Sequence, residues 1–315
     1  MQKQERKVVV IGAGSVGTTY IYALMHTGLV QEIVLIDIDE KKVMGEIMDL
    51  EQGMAFVPPV EVRPGDYSDC ADANLIVVTA GAKQKPGQSR PELIQCNADI
   101  VKSICDKIKS CDSQAVLIMV TNPVDTLTHL ALNQLGWPRK RVIGSGTVLD
   151  TARLRYMLSR HCGIDTRNVH AYILGEHGDS EVAAWSMAHL AGISLKHYCA
   201  ICQGCDSRAE HEDIMRRVRD SAYHIIDYKG STFYAIGLSL TRISAAILRN
   251  EHSILTVSLL LQGEYDIHDI CLSVPCIIGN TGVERIVTAG LSEDEQAALK
   301  ASAKTLREVM SNIKF

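Results

Sequence analysis

The segment Val8-Val9-Val10-Ile11-Gly12-Ala13-Gly14-Ser15-Val16-Gly17 constrains this chain more than any other. Its four consecutive β-branched residues read as a strand buried on both faces. Glycines 12, 14 and 17 then open Val16–Thr27, a stretch with helical spacing. Gly12 permits a tight turn out of the strand, Gly14 leaves the backbone bare enough for a phosphate to approach, and Gly17 lets helix and strand pack closely. The helix N-terminus turns its partial positive charge toward the same loop. Such a unit needs a parallel sheet around it and suits a dinucleotide above it.

The first half supplies the sheet. Glu32–Asp37, Val60–Arg63, Leu75–Thr79 and Ala115–Val120 read as further strands, aliphatic or β-branched and bounded by turn residues. Between them Glu40–Met54 reads as a helix. So does Pro91–Lys109, capped by Ser89, with Pro91 in the first turn where a missing N–H costs little. Strands alternating with helices imply right-handed crossovers. Asp37 closes its strand twenty residues past Gly17. A carboxylate there can accept both ribose hydroxyls of NAD and would repel the extra phosphate of NADP. NAD is the expected cofactor.

From about Gly146 the pattern is more mixed. Asp150–Cys162, Ala209–Tyr228 and Tyr234–Arg249 read as helices, Val169–Leu174 and Ile267–Val274 as strands, and Leu291 opens a charged terminal helix. The expected fold class is α/β: a Rossmann doubly wound parallel sheet over residues 1–145, followed by an α+β substrate domain over residues 146–315.

With 315 residues there is room for both domains. A net charge of −5 gives no electrostatic case for nucleic acid or an anionic membrane. The apolar run Val8–Ile11 is too short for a signal-peptide core, so neither secretion nor membrane insertion is expected. A cytoplasmic location is, with the ten cysteines reduced. Cys199, Cys202 and Cys205 form two Cys-x-x-Cys steps, which could begin a zinc or iron–sulfur site. A fourth ligand at ferredoxin spacing is missing, so thiols on a loop or helix end are the expected reading.

A second cluster carries chemistry. Gly175-Glu176-His177-Gly178-Asp179-Ser180 lies downstream of Asp150-Thr151-Ala152-Arg153. Together they offer an imidazole, a carboxylate that could orient it, and a guanidinium that could grip a carboxylate with two parallel bonds. Taken singly, Asp150 is equally a helix N-cap, Arg153 a surface residue and His177 a structural histidine. Beside a dinucleotide loop, they point to redox chemistry on a small carboxylic acid.

Two further motifs make the pattern specific: the run from Ala80 to Arg90, and Thr121-Asn122-Pro123-Val124-Asp125. With five motifs in order, the chain resembles the lactate/malate dehydrogenase family over essentially its whole length. The resemblance implies an NAD-binding Rossmann domain, an α+β substrate domain and a homo-oligomer, usually a tetramer. It implies that His177 exchanges a proton with the substrate oxygen and that Asp150 pairs with it. Arg153 would bind the substrate carboxylate, and Arg90, ending a mobile lid hinged at Gly81 and Gly87, would polarise the carbonyl. Asn122, in a candidate cis bond to Pro123, and Thr232 would also contact substrate. The implied cofactor residues are Gly12, Gly14, Val16, Gly17, Asp37, Lys42, Tyr67, Gly81, Ala82, Val120, Asn122 and Ser145.

Gln84 separates the substrates. Malate dehydrogenases usually carry an arginine there, facing a second carboxylate. A neutral Gln removes that partner, so pyruvate and lactate are preferred over malate or another 2-hydroxy acid. Lys83–Arg90 holds three cations and no acid, with Gln88 where the family often has an acid; this softens the discrimination. Pro91, where the family often has Leu, would stiffen the lid. Arg155 and His170 match positions where many bacterial members bind fructose 1,6-bisphosphate across a two-fold interface. A catalytically silent NAD-binding protein is the alternative outside enzymology. Retention of His177, Asp150, Arg153 and Arg90 argues against it.

Overall fold

The computed structural model describes residues 6–83, 87, 89–202, 208–288, 290–311 and 313. Five aliphatic segments of the first half form parallel strands: β1 (Lys7–Ile11), β2 (Glu32–Ile36), β3 (Glu61–Pro64), β4 (Leu75–Val78) and β5 (Val116–Met119). A sixth, β6 (Val142–Gly144), joins them. Their spatial order, β3-β2-β1-β4-β5-β6, is the doubly wound one, with the topological switch between β1 and β4. Helices α1 (Ser15–Met25), α2 (Glu40–Gln52), α3 (Arg90–Lys109) and α4 (Val124–Leu135) make the connections.

Alternation along each strand divides the core. Val8 and Val10 face one apolar layer, with Tyr20 and Leu24 of α1. Val9 and Ile11 face the other, with Val101 of α3 and Leu127 of α4. All four strand residues are essentially inaccessible, which is why they read as an unbroken apolar run.

The second half contributes α5 (Val148–Cys162), short strands β7 (Val169–His170), β8 (Ile173–Leu174), β9 (Val182–Ala183), β10 (His189–Leu190) and β11 (Ile193–Ser194), and helices α6 (Leu195–Cys202), α7 (Arg208–Lys229) and α8 (Tyr234–Leu248). Long antiparallel strands β12 (Ser253–Gln262) and β13 (His268–Gly279), then β14 (Gly282–Ile286) and α9 (Glu293–Ser311), complete it. The stretch Val169–Leu174, expected as one strand, is two: β7 pairs β10 and β8 pairs β9, with Ala171 and Tyr172 carrying the chain between sheets. The parallel sheet does not stop at the first half either. Ser258 of β12 pairs with Gly144 of β6, and β12, β13 and β14 extend one sheet to nine strands.

Helix boundaries follow local chemistry. Ser89 and Glu92 form a reciprocal capping box at the start of α3, with Pro91 in its first turn, as expected. Asp150 is not the N-cap of α5: Thr147 is, and Asp150 lies within the first turn, where its carboxylate is free to act elsewhere. Among the described residues no helix is long and apolar enough to cross a membrane.

Candidate active site

Parallel strands end together, so their C-terminal loops converge on one crevice at the switch point. Gly12 follows β1 with φ +119°; a Cβ there would lie 2.6 Å from the Ala80 backbone nitrogen. At Gly17 a Cβ would lie 2.1 Å from the Gly12 carbonyl oxygen, so only hydrogen lets α1 rest on the turn. A Cβ on Gly14, the N-cap of α1, would meet open space, and no side chain caps that helix end. Its first-turn N–H groups are thus left for an anion, the role that a pyrophosphate would fill. Asp37, just past β2, accepts from the Ala13 N–H at 2.7 Å and the Asp39 N–H at 3.1 Å, which ties the carboxylate to the rim of the glycine turn.

The other expected cofactor residues lie in the first turns of α1 and α2 and on the segments that follow β3, β4, β5 and β6. Val16 lies in the first turn of α1, and Lys42 is exposed in the first turn of α2. The Tyr67 ring is half-buried under the Lys107 ammonium, 4.8 Å from its centroid, and burial pushes its hydroxyl up to about 12. Gly81 and Ala82 follow β4, Val120 and Asn122 follow β5, and Ser145 follows β6. Asn97 of α3 binds the first two loops together: Oδ1 accepts the Ala82 N–H at 2.8 Å, and Nδ2 donates to the Asn122 carbonyl at 3.0 Å. The Asn122–Pro123 bond is cis.

Beside the crevice lies a cleft of about 270 Å³ lined by Arg90, Asn122, Asp150, Arg153 and His177, among others. The structure therefore brings together the residues that the two catalytic motifs and the lid end were expected to supply. Asp150 Oδ2 pairs with His177 Nδ1 at 2.6 Å, and Asp150 Oδ1 accepts from Arg153 Nη1 at 2.7 Å. Only 3% of the Asp150 side chain is exposed, against 27% for His177. Burial would lower the imidazole pKa, but the Asp150 charge and hydrogen bond, helped by Asp125 and Glu181, push it up to about 9. Burial would raise Asp150; the His177 and Arg153 charges outweigh it and hold the carboxyl below its usual range.

Some expected residues stand apart. Thr232 precedes α8 and is not among the lining residues of this cleft. Gln84, Lys85 and Gln88 lie outside the described residues, as does Cys205; Cys199 is buried on α6. Arg155 stacks over the Tyr172 ring at 5.1 Å and donates from Nε to the Ala171 carbonyl, whereas His170 is exposed on β7.

Three residues acquire a place that their sequence context did not assign. Buried Asp125 accepts the His177 backbone N–H at 2.8 Å and so fixes the loop that carries the imidazole. From α7, Tyr223 donates to Asp179 Oδ1 at 3.0 Å, and Arg219 donates to the Asp179 carbonyl at 3.3 Å. Asp125 closes a quoted motif, which was its only signal; Tyr223 and Arg219 carried none.

Comparison with known proteins agrees with this geometry. Residues 6–144 match the family model for the lactate/malate dehydrogenase NAD binding domain, and residues 147–314 match that for the lactate/malate dehydrogenase alpha/beta C-terminal domain. An L-lactate dehydrogenase of Treponema denticola is 53% identical, covering 99% of this chain and 100% of that protein. One from Acetivibrio thermocellus is 50% identical, covering 98% and 97%. The crystal structure of a minor L-lactate dehydrogenase from Enterococcus mundtii in a ligand-bound form superposes with a TM-score of 0.96 at 41% identity, covering 99% of this chain and 100% of that one.

Proposed function

Because the chain belongs to the lactate/malate dehydrogenase family, we propose that it interconverts pyruvate and L-lactate with NAD as cofactor. The observation that carries this reading is the shared carboxylate of Asp150, which holds His177 on one oxygen and Arg153 on the other at the edge of the dinucleotide crevice. When bound, NADH supplies the hydride for the keto carbon. The protein supplies the rest. His177, kept protonated by Asp150, gives its Nε2 proton to the substrate oxygen. Arg153 can meet the substrate carboxylate with two parallel bonds and so fixes which face of the keto carbon meets the cofactor. Arg90, at the N-terminus of α3, and Asn122 line the same cleft and are assigned to the carbonyl.

We assign residues 1–145 as the NAD-binding domain and residues 146–315 as the substrate domain, with Arg90 and Asn122 reaching the substrate cleft from the first. Gln84 is assigned to substrate choice, as a neutral group where a second carboxylate would need a cation. Oxidation of NADH followed with pyruvate and with oxaloacetate tests both assignments. A larger kcat/KM for pyruvate supports them, and a larger one for oxaloacetate replaces the substrate.

Assembly is proposed as a homo-oligomer, a tetramer by family resemblance. Leu238 on α8 is 65% exposed and lines, with Ile254 of β12 and Arg155, one largely apolar pocket on this face. Fructose 1,6-bisphosphate activation through Arg155 and His170 is proposed on the same footing. Pyruvate saturation curves with and without the bisphosphate at low protein concentration test it, and coincident curves remove it. We place the protein in the cytoplasm.

A further inference from the structure

We propose that Glu181 is a proton-holding positioning residue of the substrate cleft, whose carboxyl must stay protonated for a keto-acid carboxylate to be captured at Arg153. This rests on the reading of the cleft as a 2-keto-acid site.

Glu181 directly follows the histidine motif and precedes β9, whose Val182 and Ala183 are both buried. It is only 8% exposed, yet it lines the same cleft as Asp150, Arg153, His177 and Arg219. Its Oε1 is buried without a hydrogen-bond partner. Unpartnered carboxylate oxygens in such surroundings are costly when ionised and much less so when protonated. The charged groups facing it are Asp150 and Arg153 from α5, His177 from the motif loop, and Arg219 from α7. Arg219 is already engaged at the Asp179 carbonyl.

Local charge then decides the matter. Asp150 stands against His177 and Arg153, which leaves one net positive charge for an entering carboxylate. An ionised Glu181 would cancel that charge and compete for the guanidinium that the substrate needs. Burial first, and the Asp150 charge second, push the Glu181 carboxyl up to about 8, so at neutral pH it carries its proton. Two protons, one on His177 and one on Glu181, are then required for pyruvate capture.

The experiment is the alkaline limb of kcat/KM for pyruvate with saturating NADH, in the unaltered enzyme and in Glu181→Gln. Above about pH 9.5 the unaltered enzyme should lose roughly a hundredfold per pH unit, and Glu181→Gln roughly tenfold per unit, because one of two required protons has been made permanent. Equal limbs of tenfold per unit overturn the proposal. A purely structural role would lower the rate by one factor at every pH and leave the slope alone. If Glu181→Gln does not fold, protons taken up when oxamate, an isostere of pyruvate, binds the NADH complex at high pH give the same answer. An uptake approaching two supports the proposal, and one overturns it. Absence of pyruvate reduction by the unaltered enzyme at every pH would instead refute the function on which the proposal stands.

Discussion

Arg153 Nη1 donates to Asp150 Oδ1 at 2.7 Å, three residues away on the same helix face. The guanidinium assigned to the substrate is therefore also a counter-ion of the carboxylate that charges His177. Occupying Arg153 with a substrate carboxylate weakens one of the two pulls on Asp150 and strengthens the other. Substrate capture and imidazole protonation are thus linked through one buried acid.

His177 carries the proton that pyruvate reduction consumes, in the proposed reaction. With its pKa pushed up to about 9, kcat at saturating pyruvate, which no longer reports the capture step, should be level below that pH and decline above it, whereas kcat for lactate oxidation should rise toward it. In His177→Asn both profiles should flatten, and the rate should fall by about 10² to 10⁴. Stability carries the same signature. A histidine raised above its unfolded value stabilises the fold fully below about pH 6.5 and loses that contribution as pH rises through about 9. The melting-temperature gap between the unaltered protein and His177→Asn should therefore shrink as the pH is raised from 6 to 10. Unchanged profiles would take His177 out of the mechanism.

Asp150→Asn keeps the shape and removes the charge. Burial then acts on His177 with its main opponent gone, so the imidazole pKa should fall by about 1–3 units. At pH 8 the loss of protonated imidazole alone should lower pyruvate reduction about two- to a hundredfold, with most of that loss recovered at pH 6. Rate measurements at the two pH values suffice. A loss equal at both would mean that Asp150 acts by position alone.

Much of this arrangement was legible in the chain, for physical reasons. β1 reads as a strand because both its faces are buried, and Gly12 and Gly17 read as a turn because no Cβ fits there. Asp150, Arg153 and His177 were visible through short motifs that fix their spacing. Other features were not legible. Ser253–Gln262 is a leucine-rich run that periodicity alone cannot separate from a helix; its antiparallel pairing with β13 decides it. Val124–Leu135 hides its helical pattern because it is buried on nearly every side, with Asp125, Thr126 and Thr128 inside as well as the aliphatic residues. Val169–Leu174 changes sheets in mid-run, which only the partners β9 and β10 dictate. Asp125 and Glu181 owe their importance to neighbours 52 residues away in one case and to a neighbouring helix in the other.

Gly17→Ala tests the nucleotide loop. The added Cβ would sit 2.1 Å from the Gly12 carbonyl oxygen, which is backbone and cannot swing aside. Either α1 lifts from β1 or the turn deforms, at a cost of about 1–3 kcal/mol. KM for NADH should rise about tenfold or more, and the melting temperature should fall, because the same contact serves both. Fluorescence titration with NADH and a thermal melt measure the two effects. Unimpaired NADH affinity would place the dinucleotide elsewhere.

The Asp37 carboxylate has one structural role and is assigned a second at the cofactor. It accepts the Ala13 and Asp39 backbone N–H groups in the described structure, and it is assigned to the ribose hydroxyls of NAD. Asp37→Ser shortens the acceptor and removes the negative charge that would repel a 2′-phosphate. The ratio of kcat/KM with NADH to that with NADPH should fall about tenfold or more, mostly through KM. Loss of charge-assisted bonds to the turn should also cost about 1–3 kcal/mol of stability. The two outcomes separate the roles. A lower melting temperature with an unchanged cofactor ratio would leave Asp37 as a brace of the glycine turn, and the selection against NADP would then have to come from another residue at the end of β2.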